Sequence, residues 1–258
     1  MNAPQPRLLA FDTSTDALSV GVRHGERYWL HGGPGAARSS GTLIPVALDL
    51  LSQAGLGLRE LDAIVFGRGP GSFTGLRTAC AVAQGLAAGS GRQVLGIDTL
   101  LAVAEQARHE AMADDAATAQ PLRVSAVLDA RMDEVYLQHF EWAQGQWHSL
   151  GPCQLCAPES LQLGAHAPQL VAGNAGSVYG DRLPGLPPGS RWVTALPTAE
   201  ALLRLAPALM QGATPPAQAL PLYVRDKVAQ TTEERLAARQ AKLQAEAGAA
   251  AGPRSQHP

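Results

Sequence analysis

One unit occurs twice in this chain of 258 residues, and that repetition restricts the fold more than any other feature. LAFDTSTDALSV (Leu9–Val20) aligns with AVLDARMDEVYL (Ala126–Leu137). Asp12 then falls on Asp129 and Asp16 on Asp133, with apolar residues flanking both pairs alike. Farther along, AIVFG (Ala63–Gly67) aligns with LVAG (Leu170–Gly173). Each stretch ends in glycine, and glycine recurs soon after at Gly71 and Gly176. A repeat on this scale predicts two similarly folded halves.

The pattern within each half is strands first, helices after. Arg7–Thr13, Ala17–Arg23 and Arg27–His31 read as an antiparallel meander, not as βαβ. Gly32–Gly41 reads as a Gly- and Ser-rich loop, followed by a helix to about Ala54 with Pro45 in its first turn or kinking it. That helix carries Leu43, Ala47, Leu50 and Ala54 on one stripe and Ile44, Leu48 and Leu51 on the next. Ala63–Phe66 is a short apolar strand, and a helix from about Phe73 to Ala88 follows, capped by Ser72 or Thr74. Leu76, Ala79, Cys80, Ala83, Leu86 and Ala87 form one stripe; Ala81, Val82, Gly85 and Ala88 form a second, of small side chains. Only Arg77 and Gln84 leave a polar seam. A helix lying on a sheet needs one apolar face, so the second predicts another surface packing closely from outside. A strand at Gln93–Ile97 and a helix at Thr99–Ala111, with Asp98 as N-cap, complete this half. Asp114–Gln120 reads as a polar connector. The second half carries strands at Glu134–Trp142 and Gln146–Leu150, a short helix near Pro158–Leu163, and a helix at Ala199–Met210 capped by Thr198. The expected division is residues 1–112, residues 113–229, and a polar, partly disordered tail at residues 230–258.

Between the central strand and its helix, Gly69, Pro70, Gly71, Ser72, Phe73, Thr74, Gly75 and Arg77 invite a phosphate-binding reading. A Walker A loop needs a lysine that is absent here, and the dinucleotide fingerprint lacks its third glycine. Two readings stay open: an anion site at a helix N-terminus, and a tight turn that lets strand and helix pack closely. The same duality holds at the first-strand aspartates. Asp12, Thr13 and Ser14 are candidates for binding a nucleotide, because phosphoryl transfer needs backbone donors around the phosphates, although Ala130-Arg131-Met132 is a poor second loop. Alternatively, Asp12 and Asp129 close hairpin turns with side-chain hydrogen bonds.

Composition narrows the classes. A net charge of −2 and a charged content of 16% argue against a chain that binds nucleic acid alone by bulk charge. No two of the seven histidines stand three to five residues apart, the spacing a helical metal site uses. Cys80 falls in an apolar helix as a small core residue. Cys153 and Cys156 form C-x-x-C, but zinc needs two further ligands, and a redox pair belongs at a helix start. GPCQLCAPES reads instead as a loop before a short helix. The odd cysteine count, the absence of a signal core after MNAPQPR and the lack of a long uncharged apolar run predict a cytoplasmic chain without membrane contact.

Two βββαβα halves, each with an aspartate closing its first strand, describe an α/β protein of the actin-like, ribonuclease H-like fold, each half a mixed sheet with flanking helices. The motifs are more specific. LLAFDTST (Leu8–Thr15), GRGPGSFTGLR (Gly67–Arg77), GIDTL (Gly96–Leu100), LDARMDEVY (Leu128–Tyr136) and PLYVRDKVA (Pro221–Ala229), in this order, resemble the TsaB family over about Arg7–Val228. The resemblance implies a non-catalytic subunit in bacterial synthesis of threonylcarbamoyladenosine, made on N6 of the adenosine next to the anticodon in tRNAs reading codons that begin with A. It implies pairing with a catalytic relative, TsaD, through helices of the first half, with an ATPase, TsaE, joining the complex and tRNA met only through it. ATP or ADP and metal then belong to partner subunits, and this chain alone binds no cofactor and has no catalytic residue. ARSSGTLIP (Ala37–Pro45) shows Ser39 and Ser40 where the relative's metal-binding region has histidines. The expected partner surface comprises Leu43, Val46 and Leu50 on the first helix and Thr78, Ala81, Val82, Gly85 and Ala88 on the second. The same surface would pair with itself as a homodimer when the partner is missing. Two alternatives stand: a small-molecule kinase of the same fold, supported by Asp12 and the glycine turn, and a metallopeptidase, opposed by the histidine spacing.

Overall fold

A computed structural model describes residues 6–35, 39–112 and 121–225. The chain divides into a compact unit, Met1–Val224, and a second, Arg225–Pro258; the elements below all lie in the first. The expected connector at 114–120 and the tail at 230–258 lie outside the described residues.

β1 (Arg7–Asp12), β2 (Ala17–His24) and β3 (Arg27–Pro34) form the meander, α1 spans Ser39–Gln53, β4 spans Ala63–Gly69, α2 spans Phe73–Ser90, β5 spans Gln93–Asp98 and α3 spans Thr99–Met112. The sheet runs in the order β3-β2-β1-β4-β5. β1 pairs antiparallel with β2 and parallel with β4. The second half repeats this plan. β6 (Leu122–Arg131) pairs antiparallel with β7 (Glu134–Ala143) and parallel with β10 (Leu170–Ala172). β8 (Gln146–Ser149) and β9 (Gln154–Cys156) both pair with β7, and β11 (Arg191–Val193) pairs with β10. The short α4 (Ala175–Tyr179) and then α5 (Ala199–Leu209) follow in the chain. The molecule therefore consists of two mixed sheets with flanking helices, two actin-like halves.

The aligned glycines have a shared cause. A Cβ on Gly67, in β4, would stand 1.7 Å from Asp12 Oδ2, and a Cβ on Gly173, just after β10, would stand 1.8 Å from the Val127 carbonyl oxygen. In both halves glycine lets the backbone approach the first strand of its own half more closely than any side chain would permit.

Four expectations need correcting. β3 runs to Pro34, because Ala17, Leu18 and Ser19 of β2 pair with Pro34, Gly33 and Gly32, and this cross-strand pairing outweighs the low strand propensity of the segment. Gln154–Cys156 is a strand held by Leu137, Tyr136 and Val135 of β7, not part of a loop. Pro158–Leu163 is not one helix: two 3-10 turns, Pro158–Ser160 and Leu163–His166, stand there. Because α1 starts at Ser39, Pro45 lies inside it, beyond the first turn.

The core lies on both faces of the first sheet. Phe11, Leu18, Val20, Ile64 and Phe66 meet Leu43, Ala47, Leu50 and Leu51 of α1 and Ala79, Cys80, Ala83 and Ala87 of α2. On the other face Leu8, Ala10, Val65 and Ile97 meet Leu202, Leu203 and Leu205 of α5. α3 packs onto the second sheet through Leu100, Val103 and Ala107. At the junction of α3, α5 and β8, the buried Glu105 accepts from Arg108 Nη2 (2.9 Å), Arg204 Nε (3.1 Å) and Trp147 Nε1 (2.9 Å). Among the described residues no helix is long and apolar enough to cross a membrane.

Candidate functional site: a clamped glycine turn and an open helix face

Four of the five sequence motifs meet at the turn between β4 and α2, the last of them through its start at Leu222, and the fifth reaches the neighbouring turn after β1. On one side stands the turn after β1. Ser72 N–H donates to the Ser14 carbonyl (2.7 Å), and Thr13 Oγ1 donates to the Gly75 carbonyl (2.7 Å). Gly75 is close enough that a Cβ there would lie 1.8 Å from the Thr13 carbonyl oxygen, and one on Gly71 would lie 2.6 Å from Ser14 Cβ. Beneath, Arg68 Nε donates to Asp98 Oδ1 (2.6 Å) and Gly69 N–H to Thr99 Oγ1 (3.1 Å). Leu222 N–H donates to the Arg68 carbonyl (2.7 Å). Finally Arg131, on the turn after β6, pairs with Asp16 on the turn after β1.

This geometry bears on the two readings of the turn. Of the amides an anion would need at the start of α2, that of Ser72 is used by Ser14, and that of Gly75 faces its own N-cap, Ser72 Oγ, at 3.5 Å. Asp12, Thr13 and Ser14 are 0%, 1% and 3% exposed. Asp12 Oδ1 accepts from Ser14 N (2.8 Å) and Ser14 Oγ (2.6 Å), closing the hairpin turn. Its other oxygen is buried without a partner. Burial raises the Asp12 carboxyl to about 6, against the lowering effect of the Ser14 bonds. Asp129 behaves similarly: Oδ1 accepts from Arg131 N (2.8 Å) and from the Tyr179 hydroxyl (2.8 Å). The arrangement does what close packing requires, and the aspartates serve the turns that follow them.

The remaining polar candidates are likewise engaged in structure. Asp98, expected as an N-cap, has its Oδ1 bound by Arg68. Burial pushes the Cys153 thiol up to about 12 and raises the Cys156 and Cys80 thiols too, and thiols so shifted are poor nucleophiles. Among the described residues no three of His, Cys, Asp or Glu converge as a metal site would need.

What stays open is the outer face of α2. Ala81, Gly85 and Ala88 are exposed, Thr78 and Val82 half-buried. A Cβ added at Gly85 would meet nothing within 4 Å. A shallow groove of about 470 Å³ runs along this face, lined by Phe73, Thr74, Arg77, Thr78, Ala81 and Val82. The polar seam has a use that spacing alone does not reveal. Gln84 Nε2 donates to the Ala219 carbonyl (2.9 Å) and Arg77 Nε to the Tyr223 hydroxyl (3.2 Å), so both tie the stretch from Ala219 to Tyr223 against the helix. That stretch includes the start of the PLYVRDKVA motif, the signal that pointed to it.

Part of the expected partner surface is misassigned. Leu43 is 0% and Leu50 5% exposed; both belong to this chain's own core, because their stripe of α1 faces β2 and the sheet. The outward side chains of α1 are Ile44 and Leu48, 38% and 46% exposed, with Val46 half-buried between the two faces.

Comparison with known proteins agrees with this geometry. A family model described as "TsaD: tRNA N6-adenosine threonylcarbamoyltransferase" matches residues 35–183. The tRNA threonylcarbamoyladenosine biosynthesis protein TsaB of Haemophilus influenzae is 39% identical over 162 residues, which cover 59% of this chain and 64% of that protein. Its Escherichia coli namesake is 36% identical over 143 residues, covering 55% and 58%. The match thus spans less than two thirds of either relative. The solved structure of YeaZ from Pseudomonas aeruginosa superposes with a TM-score of 0.74 at 38% identity, covering 85% of this chain and all of that one. With the family model matched over more than half its length and the YeaZ structure covered from end to end, this chain belongs to the TsaB family of the wider TsaD-type group.

Proposed function

We propose that this chain is the non-catalytic partner of a tRNA N6-adenosine threonylcarbamoyltransferase and docks on it through the outer faces of α2 and α1. One observation carries the reading: the place where a nucleotide-using relative would need room is filled by the chain itself. The glycine turn is packed against Thr13 and Ser14, and Asp12 lies wholly buried beneath. A buried carboxylate engaged by its own turn cannot orient a substrate hydroxyl or a hydrated Mg²⁺ without taking the turn apart. Alongside stands an open helix face of small side chains, which permits close approach of another helix, and exposed apolar surface of this kind marks interfaces.

On this reading the transferase supplies the chemistry together with any metal and nucleotide, tRNA is met through the complex, and an ATPase of the TsaE type joins it. In the absence of the transferase the same face pairs with a second copy, an isologous contact. The test is binding. Calorimetric titration of the transferase with this chain should give a defined complex, and Val82→Arg, which puts an unpaired charge into a close-packed contact, should abolish it while the variant stays folded. Normal binding by the folded variant would place the interface elsewhere.

A further inference from the structure

Beside the open face stands a cation that is held in place and, among the described residues, has no carboxylate partner. Arg77 lies on α2 one turn after Phe73, with its guanidinium carbon 4.0 Å from the Phe73 ring centroid. Its Nε donates to the Tyr223 hydroxyl, and the Tyr223 ring stands 5.4 Å from that of Phe73. Phe73 and Tyr223 are themselves 36% and 45% exposed. The guanidinium is thus held over one face by an aromatic ring and at Nε by a hydroxyl. Among the described residues no carboxylate pairs with it. Other arginines at the motif junction are satisfied: Arg68 by Asp98, Arg131 by Asp16 and Asp129.

We infer that Arg77 is the specificity contact of the docking face, receiving a carboxylate from an Asp or Glu on the partner helix that lies in the groove. The inference rests on the docking role proposed above and adds the chemistry of the partner's side. A guanidinium whose Nε is already engaged presents its terminal nitrogens as a planar fork, which matches a carboxylate in two parallel hydrogen bonds. Fixing it beforehand lowers the entropy lost when the pair forms. A phosphate has the same fork chemistry, but nucleic acid demands several cations together. Here the surface beside Arg77 is Thr78, Ala81 and Val82, suited to an apolar helix ridge. The occupant is therefore a protein helix with small or apolar residues along its length and one acid at the end that meets Arg77.

The experiment measures affinity for the intact transferase by calorimetry, at low and at high salt, with melting curves as a fold check. Arg77→Gln should weaken binding by about tenfold to a hundredfold, the effect of losing a charge-assisted bidentate pair. Arg77→Glu should weaken it further, with the gap between the two closing at high salt. Arg77→Lys, which keeps charge and loses the fork, should fall between wild type and Arg77→Gln. Tyr223→Phe, which frees the guanidinium without removing it, should cost less than any of these. In the Arg77→Glu background, exchanging surface acids of the transferase one by one for arginine should find one position that restores affinity. Binding of Arg77→Gln and Arg77→Glu within about twofold of wild type, or restoration by none of the exchanges, overturns the inference. So does loss of tRNA cross-linking with transferase binding intact, which would assign the fork to phosphate. If Val82→Arg still binds, the docking role itself is wrong; if Val82→Arg fails and the Arg77 variants bind, only this contact is.

Discussion

Gly75→Ala sets two physical effects against each other. Gly75 is the third residue of α2, and alanine is a better helix former than glycine by up to about 1 kcal/mol. Propensity alone therefore predicts a more stable protein. The structure predicts the reverse, because the new Cβ would sit 1.8 Å from the Thr13 carbonyl oxygen. That neighbour is backbone, so no rotamer change relieves the overlap, and the start of α2 must move away from the turn after β1. Overpacking of this kind costs about 1–3 kcal/mol. The movement also breaks the bonds from Thr13 Oγ1 to the Gly75 carbonyl and from Ser72 N–H to the Ser14 carbonyl, each worth about 1 kcal/mol. After subtracting the propensity gain, the expected loss is about 2–4 kcal/mol. Urea denaturation with an unchanged m-value is the assay. The control is Gly85→Ala on the same helix, where a Cβ meets nothing within 4 Å; it should stabilise the chain by about 0.5–1 kcal/mol. It should also weaken partner binding, since it thickens the docking face. If Gly75→Ala proves neutral or stabilising, the argument that the glycine turn exists for close packing is refuted.

Other outcomes follow from the same packing. Leu43→Ala should cost about 2–5 kcal/mol of stability, whereas Leu48→Ala should change it by no more than about 0.5 kcal/mol yet weaken partner binding; equal stability losses would show that the two faces of α1 have been misassigned. Burial raises the folded-state pKa of Asp12 to about 6, above the ordinary carboxylate value of 3.8. The folded chain thus binds more protons between those values, and this group's contribution falls as pH rises through that window and stays unfavourable above it. His139 acts oppositely, since burial and then the nearby His166 lower it to about 4. The comparison must therefore be made between wild type and Asp12→Asn, whose stability advantage should grow from pH 4 to pH 7; a constant difference would mean that Asp12 does not titrate there. At Glu105, burial raises the carboxyl, but hydrogen bonds from Arg108 and Trp147 and the Arg108 and Arg204 charges outweigh it, so the net shift is down. Its stabilisation is present above the unfolded-state pKa and lost as pH falls through the folded one. Glu105→Ala takes the shared carboxylate from the half-buried Arg108 and Arg204, although Arg204 keeps Glu200 and Arg108 keeps the Trp142 ring, and should cost about 1–3 kcal/mol in thermal or urea unfolding.

The parts legible in the sequence were those with local causes. The paired aspartates mark hairpin turns because an Asx side chain bonds the backbone two residues on, as Asp12 does to Ser14 and Asp129 to Arg131. Strand-end glycines mark close approach, and their recurrence at Gly67 and Gly173 exposed the repeated topology. Illegible were the features decided by tertiary pairing. A helical stripe shows that Leu43 and Leu50 share a face, but the period does not say whether that face or the one holding Ile44 and Leu48 meets the sheet. β9 is three residues long, too short for a period, and exists only because β7 holds it. The sequence shows Arg77 and Gln84 only as a polar seam, because their partners, Tyr223 and the Ala219 carbonyl, lie more than a hundred residues away.

The central claim is that this chain acts by docking and not by chemistry of its own, and one measurement addresses both halves of it. Threonylcarbamoylation of tRNA is followed with the transferase and the other components of the reaction held fixed, while this chain is added as wild type, as Asp12→Asn, or as Val82→Arg. The account predicts full modification with wild type and with Asp12→Asn, and none above the level without this chain for Val82→Arg. Loss of modification with a folded Asp12→Asn, together with full modification by Val82→Arg, would contradict it, and would place the function in the turn and not on the helix face.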